Sequence, residues 1–348
     1  VVVQEQVIPE YHWTTTHEKR HQDQVKKKDS LDRGQESDTS PIFHRPLYGE
    51  GLRAQAPDFE EMDESEFINS YELKTCRMCG SDKIVKDGKS SGGIARFKCN
   101  ACGRRFTAIT NTIFDSHKIP ISEWIGFLLD IFGYGSFGLT SKVNRNSNNT
   151  TMYWMDKTFL LLEGIQDEVV LKDRIWIDET FCKVRSDDIE HHDDGTEYRG
   201  LSRNQLCIGV ARDSHGQSMF VFEGTGKTSG KKTLDVFSSH IAPGSTLVHD
   251  KEKSHRKLVE KLNLKSEVYD SREIKKLPDD DNPLDPINDL CRLLQLFLRA
   301  HSGFMRFELQ GYLNMFSVIM NKPENKYEKV EKLLSRAMDF PVLLRYRR

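Results

Sequence analysis

Arg174-Ile175-Trp176-Ile177-Asp178-Glu179-Thr180-Phe181 reads as a β-strand, rich in β-branched and aromatic residues, with one carboxylate set among apolar neighbours. Two further strands follow, Leu206-Cys207-Ile208-Gly209-Val210-Ala211 and Ser218-Met219-Phe220-Val221-Phe222. Lys231 to Ile241 has a helical pattern. Pro243-Gly244 then turns into a fourth strand, Ser245-Thr246-Leu247-Val248-His249-Asp250. Glu252 to Leu262 is helical, Glu267-Val268-Tyr269 is a short fifth strand, and a long helix starts near Pro286. The order is β-β-β-α-β-α-β-α. Three antiparallel strands precede two right-handed crossovers to parallel strands.

That is the order of an RNase H-like domain, an α/β fold with a mixed five-stranded sheet and helices. Nucleases and transposases with this order place acids in the first strand, at the end of the fourth, and on the helix after the fifth. Here those points hold Asp178, Asp250 and the helix start near residue 286. Two carboxylates from neighbouring strands can hold a pair of Mg2+ or Mn2+ ions about 4 Å apart. One ion activates the attacking water or hydroxyl, and the other stabilises the leaving oxygen. The bland alternatives are a structural role for Asp178 and a strand-ending or helix-capping role for Asp250. At the third point, Asp285 reads as the N-cap and Pro286 as the first helical residue. Ile287, Leu290, Leu294, Phe297 and Leu298 form the expected buried stripe. Asn288, Cys291, Gln295 and Arg299 line the stripe beside it. Asn288 would face the two aspartates and offer a neutral oxygen; Asp285 and Asp289 are the alternatives for the third ligand.

Ahead of this domain stand Cys76-Arg77-Met78-Cys79 and Cys99-Asn100-Ala101-Cys102. The C-x2-C pairs, separated by 19 residues, have the spacing of a tetrahedral Zn2+ site held by two knuckles. From Lys74 to Arg105 nine basic residues face only Asp82 and Asp87, a net charge of +7 in a chain whose total is −2. Phe97 and Phe106 are interleaved with Arg96, Lys98, Arg104 and Arg105, which suits a nucleic-acid clamp. A solvated basic face or a protein-docking module is the plainer reading. Residues 121 to 132 follow the helical period, and Gly133, Gly135 and Gly138 break it. A polar segment with Lys142 and Arg145 then leads into a helix marked by Met152, Tyr153, Met155, Phe159 and Leu162. Helix, turn, short helix and longer helix fit a helix-turn-helix, or a generic helical linker.

The 348 residues are 37% hydrophobic and 30% charged, with no run approaching a membrane span. The odd cysteine count, seven, leaves Cys182, Cys207 and Cys291 as expected buried thiols in a reducing cytoplasm. Residues 1–70 hold 8 Lys/Arg and 15 Asp/Glu, net −7, with poor apolar periodicity, and read as a disordered or weakly ordered acidic tail. The expected organisation is that tail, a zinc ribbon at 71–110, a helix-turn-helix segment at 118–165, the RNase H-like domain at 172–322, and a basic C-terminal tail at 323–348. Asp187-Asp188 and His191-His192-Asp193-Asp194 mimic a metal cluster but sit in a polar loop, as a solvated insertion would.

Over roughly residues 71–321 the chain resembles bacterial insertion-sequence transposases of the DDE class, the fifteen-ninety-five (ISXO-like) group with an N-terminal zinc ribbon. The resemblance is carried by Cys76-x2-Cys79, by Phe97-Lys98-Cys99-x2-Cys102-Gly103-x2-Phe106, and by Ile175-Trp176-Ile177-Asp178-Glu179-Thr180. Arg199-Gly200-Leu201-Ser202-Arg203-Asn204-Gln205, Asp250, Ile287-Asn288, His301-Ser302-Gly303-Phe304 and Leu309-Gln310-Gly311-Tyr312-Leu313-Asn314 continue it. It implies Asp178, Asp250 and Asn288 as the metal-binding catalytic set and structural zinc; Arg199 and Arg203 read either as contacts to donor DNA or as surface arginines of a plain β-turn. It also implies double-stranded DNA as partner, at least a dimer on DNA, no membrane, and a cytoplasmic, nucleoid-associated location. The family usually has His and Lys three and seven residues after the third ligand, where this chain has Cys291 and Gln295. An inactive, domesticated DNA-binding relative and an RNase H-like nuclease without strand transfer are the alternatives to an active transposase.

Overall fold

Secondary structure in the C-terminal two thirds follows the alternation read from the sequence. A computed structural model describes residues 64–115, 121–144, 146–251, 253–274, 276 and 281–339. Most of the expected acidic tail (1–63), Arg145 and the end of the basic tail (340–348) lie outside the described residues. The chain forms two units, Val1–Ala108 and Ile109–Arg348. The 118–165 and 172–322 segments therefore fall within one unit.

In the first unit, α1 (Glu64–Ser70) precedes β1 (Ile84–Lys89), β2 (Ala95–Cys99) and β3 (Arg105–Phe106). These strands form an antiparallel sheet in the order β1-β2-β3. The tail expected to run to residue 70 thus ends in a helix. Its cause is tertiary: Ile68 is buried, and Asn69 bonds the β1–β2 hairpin through Gly93 O at 3.0 Å and Ala95 N at 2.7 Å. The small core of the unit is Cys76, Cys99 and Phe106, flanked by Leu73, Met78, Ile84 and Phe97. Phe97 stacks on Phe106 with ring centroids 5.9 Å apart. So few apolar groups cannot sustain a fold unaided, and small modules of this kind need a metal or disulfide staple.

The second unit starts with α2 (Ile121–Phe132), α3 (Phe137–Val143) and α4 (Asn148–Leu162). Ser136 and Ser147 cap α3 and α4 by accepting from Leu139 N and Thr150 N. There follow β4 (Arg174–Lys183), β5 (Gln205–Asp213), β6 (Ser218–Thr225), α5 (Gly230–Phe237), β7 (Thr246–Asp250), α6 (Arg256–Leu262), β8 (Lys265–Tyr269) and the single turn α7 (Ser271–Ile274). The helices α8 (Asp285–Ala300), α9 (Leu309–Met320) and α10 (Lys326–Asp339) close the chain.

The mixed sheet has the order β6-β5-β4-β7-β8, antiparallel from β6 to β4 and parallel from β4 to β8. This is consistent with the RNase H-like order. Alternation assigns the two faces of β4. Ile175 and Ile177 join Ala211, Leu247, Phe237 and Leu258 in a core under α5 and α6. Trp176, Asp178 and Thr180 point to the other face, where Trp176 Nε1 donates to Pro283 O at 2.9 Å, just ahead of α8. On that face Phe316 of α9 meets Phe220 edge-on at 4.8 Å and Phe297 of α8 at 5.2 Å.

Three local expectations are corrected. Leu284, not Asp285, is the N-cap of α8, and Asp285 opens the helix with Pro286 beside it. The C-terminal segment is no plain tail: Val330, Leu333, Leu334, Ala337 and Met338 bury one face of α10. Cys182 is half-buried rather than buried, because it lies near the end of β4.

Candidate functional site

The four cysteines converge. Gly80 and Gly103, both at φ +73°, close two equivalent turns in which Gly80 N donates to Cys76 O and Gly103 N to Cys99 O. A side chain would strain that backbone. Cys76 Sγ lies 3.8 Å from Cys102 Sγ, and Cys79 Sγ 3.7 Å from Cys99 Sγ. A tetrahedron with Zn–S bonds of 2.3 Å has edges of about 3.8 Å. The Cys99 thiol is pulled down to about 7, chiefly by the backbone N–H of Cys102. The donor set and the spacing fit zinc.

Around this knot the basic residues stand on the outer face. Arg96, Lys98, Arg104 and Arg105 are exposed. Lys98 sits opposite Val85 on one neighbour and Arg105 on the other, while Phe97 and Phe106 turn inward. Arg105 is partly neutralised by Asp87 at 2.5 Å. Lys142 is exposed near the end of α3 in the other unit.

The carboxylates meet at the far end of the five-stranded sheet. Trp176 of β4 pairs with Val248 of β7, so two residues further on Asp178 and Asp250 fall level and on the same face. The β4–β7 ladder ends at Trp176, and the two acids occupy the notch where the strands part. Asp178 Oδ1 accepts from Glu179 N at 2.8 Å. Burial pushes the Asp178 carboxyl up to about 6, and the charges of Glu179 and Asp250 add to the rise. A divalent cation reverses such a penalty, because a buried anion pair gains most from an ion held between its members. Oxygen donors suit Mg2+ or Mn2+.

Helix α8 lies over this notch. Gln295 Nε2 donates to Thr180 Oγ1 at 2.7 Å. Cys291 is buried, and its thiol is raised by burial and then by the charge of Asp178. Asn288 occupies the exposed first turn, one turn before Cys291 on the same stripe. Asp289 is directed away and pairs with Arg292 at 3.2 Å. Asp285 remains half-buried at the helix start.

Arg199 and Arg203 belong to the β4–β5 insertion and are exposed. Arg203 lies over the Tyr198 ring at 5.3 Å, and the ring packs on His192 at 3.7 Å. Arg306 anchors the insertion by bonding Glu190 Oε1 at 3.1 Å and Asp188 O at 3.0 Å. The acids and histidines from 187 to 194 stay a solvated loop; among the described residues, metal-compatible groupings form only at the four cysteines and at His249, Asp250 and His255.

The sequence reading missed the opposite face. Glu179, directly after Asp178, points toward α5 and α6 and receives His255 Nε2 at 3.1 Å and Ser254 Oγ at 3.2 Å. His255 bonds His249. The strand alternation was a usable signal for Glu179; nothing in the six-residue spacing from His249 to His255 pointed to a contact.

No protein-family model matches the chain, and no curated protein matches it. Among solved structures the chain is similar to the Mos1 mariner paired-end complex with Mn, at 12% identity over 61% of this chain and 75% of that one, with a TM-score of 0.24. A pre-cleavage Mos1 transpososome matches at 11% identity over 92% and 85%, TM-score 0.25. The Mos1 strand transfer complex matches at 12% over 91% and 83%, TM-score 0.27. At TM-scores of this size a common fold is not established, and the site rests on its own residues.

Proposed function

We propose that the protein is a DNA transposase of the DDE class. It would bind the terminal inverted repeats of an insertion sequence, cut the strand to free a 3′-OH, and direct that hydroxyl at a phosphodiester of target DNA. The observation that carries this reading is the level placement of Asp178 and Asp250 on adjacent parallel strands, under the helix stripe of Cys291 and Gln295. These two aspartates would hold the metal pair, and Asn288 would complete the ligand set. The bound ions supply the Lewis acidity for in-line phosphoryl transfer. The chain's own residues would position them: Glu179 N–H steadies one Asp178 oxygen, and the half-buried notch partly desolvates its carboxylate.

The first unit is a zinc ribbon whose outer basic face, with Arg96, Lys98, Arg104 and Arg105, tracks the DNA backbone. The helices α2 to α4 act as a helix-turn-helix. Lys142 and the exposed N-terminal turn of α4, Asn148 and Asn149, are presented to a groove. Arg199 and Arg203 contact donor DNA, and pairing of two element ends requires at least a dimer.

One observation favours a second reading, a DNA-binding protein without catalysis. Gln295 is neutral where the resembling family has a cation, and it is spent on Thr180. A joining assay with an end duplex, a target plasmid and Mg2+ separates the readings. Joined products from the full chain, preferring inverted-repeat ends, support the transposase. End binding without cleavage would leave only the second reading, and cutting without joining would mark a nuclease.

A further inference from the structure

The back of the carboxylate notch holds a buried imidazole pair. His249 is the last residue but one of β7, directly before Asp250, and His255 follows in the next turn; both are buried, His255 completely. Their Nδ1 atoms face each other at 3.1 Å, with ring planes at 83°. Their outer nitrogens are both engaged. His255 Nε2 meets the Glu179 carboxylate at 3.1 Å, and His249 Nε2 meets Ser266 Oγ at 2.9 Å. Glu179 is itself steadied by Ser254 Oγ at 3.2 Å.

A carboxylate can only accept, so Nε2 of His255 carries the proton and its Nδ1 presents a lone pair. With the His249 Nε2–H given to Ser266, a second lone pair faces the first. In that tautomer a cation satisfies both lone pairs; in the other, Ser266 Oγ–H donates to His249 Nε2 and His249 Nδ1–H donates to His255 Nδ1. Imidazoles whose outer N–H is tied to a carboxylate or hydroxyl are the usual ligands of zinc-class ions, because that bond fixes the tautomer and raises the basicity of the inner nitrogen. Zn–N bonds of 2.0–2.1 Å in a tetrahedron separate two nitrogens by about 3.3 Å, close to what is seen. An Asp250 oxygen completes a three-ligand grouping whose donor atoms all lie within 4.8 Å of one another. The half-buried Asp250 gives the ion its way in.

We infer that His249, His255 and Asp250 form a binding site for a divalent transition-metal ion of the zinc and cobalt class, separate from the four-cysteine site and from an all-oxygen site for Mg2+. Magnesium shuns such nitrogen donors. The inference goes beyond the transposase reading and does not require it. If that reading holds, an ion here engages Asp250 from behind and competes with the catalytic pair for it.

The test uses the full chain without DNA, its cysteines first loaded with Zn2+, and Co2+ as the probe. One equivalent of Co2+ should give visible d–d absorption without sulfur-to-cobalt charge transfer; cobalt taken by the cysteines would show that band. Glu179→Gln should weaken binding about 10- to 100-fold, the usual effect of losing a carboxylate behind a ligating histidine. His255→Gln should abolish it, and Asp178→Asn should leave it intact. If His255→Gln fails to fold, Glu179→Gln and Ser266→Ala, checked by circular dichroism, carry the test. No cobalt signal in the wild type, as a shared proton between the rings would give, overturns the inference. So does binding unchanged in both His255→Gln and Glu179→Gln, or binding lost in Asp178→Asn, which would put the ion on the carboxylate pair. None of these outcomes depends on DNA joining.

Discussion

Lowering the pH should destabilise the second unit through His301, and a phenylalanine there should remove that sensitivity. His301 follows α8 and is almost fully buried, with its ring 4.6 Å from Phe297, 5.4 Å from Phe137 and 5.6 Å from Tyr312. Neither ring nitrogen has a hydrogen-bond partner. Burial lowers its pKa from 6.5 to about 4. The folded state therefore holds the neutral ring, and the unfolded chain takes up a proton first as the pH falls. The stabilisation is fully present above pH 6.5 and is lost between 6.5 and about 4. At pH 5 the unfolded chain has gained about 1.5 log units of protonation free energy over the folded one, or about 2 kcal/mol at 1.36 kcal/mol per unit. For a unit of this size that is roughly 4–8 °C in Tm. His249, lowered to about 4 by burial, contributes in the same direction, so the variant rather than the bare profile isolates His301. Urea denaturation of wild type and His301→Phe at pH 7.5 and pH 5 measures the difference. The variant should retain about 2 kcal/mol more of its stability across that interval. Equal losses in both proteins would refute a buried neutral His301.

Chelation of zinc, or Cys99→Ser, should release the cysteine-held Zn2+ and unfold the ribbon, whose apolar core is too small to stand alone; dye-detected zinc release with amide exchange over residues 64–108 reads both. Gly311→Ala should cost about 1–3 kcal/mol, because a Cβ there would meet the Phe159 ring at 2.6–2.8 Å; an unchanged urea midpoint would mean that α4 and α9 do not pack so closely. Gln295→Lys should place a cation on the catalytic stripe, tighten binding of end DNA and steepen its salt dependence by about one log unit per log unit of salt; binding titrations at several salt concentrations check this.

Much of the fold was legible because each strand announced itself by composition and each crossover helix by period. The RNase H-like order set the strands of Asp178 and Asp250 side by side, while the register that levels them through Trp176 and Val248 is seen only in the fold. The convergence of the four cysteines was legible because cysteine spacing is a local signal. Less was visible where tertiary packing overrides local pattern. Glu64–Ser70 looked like part of an acidic tail, yet Ile68 and Asn69 tie it to the ribbon hairpin. Lys326–Asp339 looked like a basic tail, yet its apolar residues fall on one buried face. The imidazole pair was invisible in principle. His249 lies within a strand and His255 in a turn, and only the fold brings their rings to 4.8 Å.

The claim that Asp178 and Asp250 hold the reacting metal ions is tested most directly by changing the ligand's softness. Asp178→Cys replaces a hard oxygen with a thiolate, which prefers Mn2+ or Cd2+ over Mg2+. Cleavage of an inverted-repeat duplex should be lost in Mg2+ and restored, at least in part, in Mn2+. Wild-type cleavage by Asp178→Cys in Mg2+ would contradict the account, because Asp178 would then not be touching the metal.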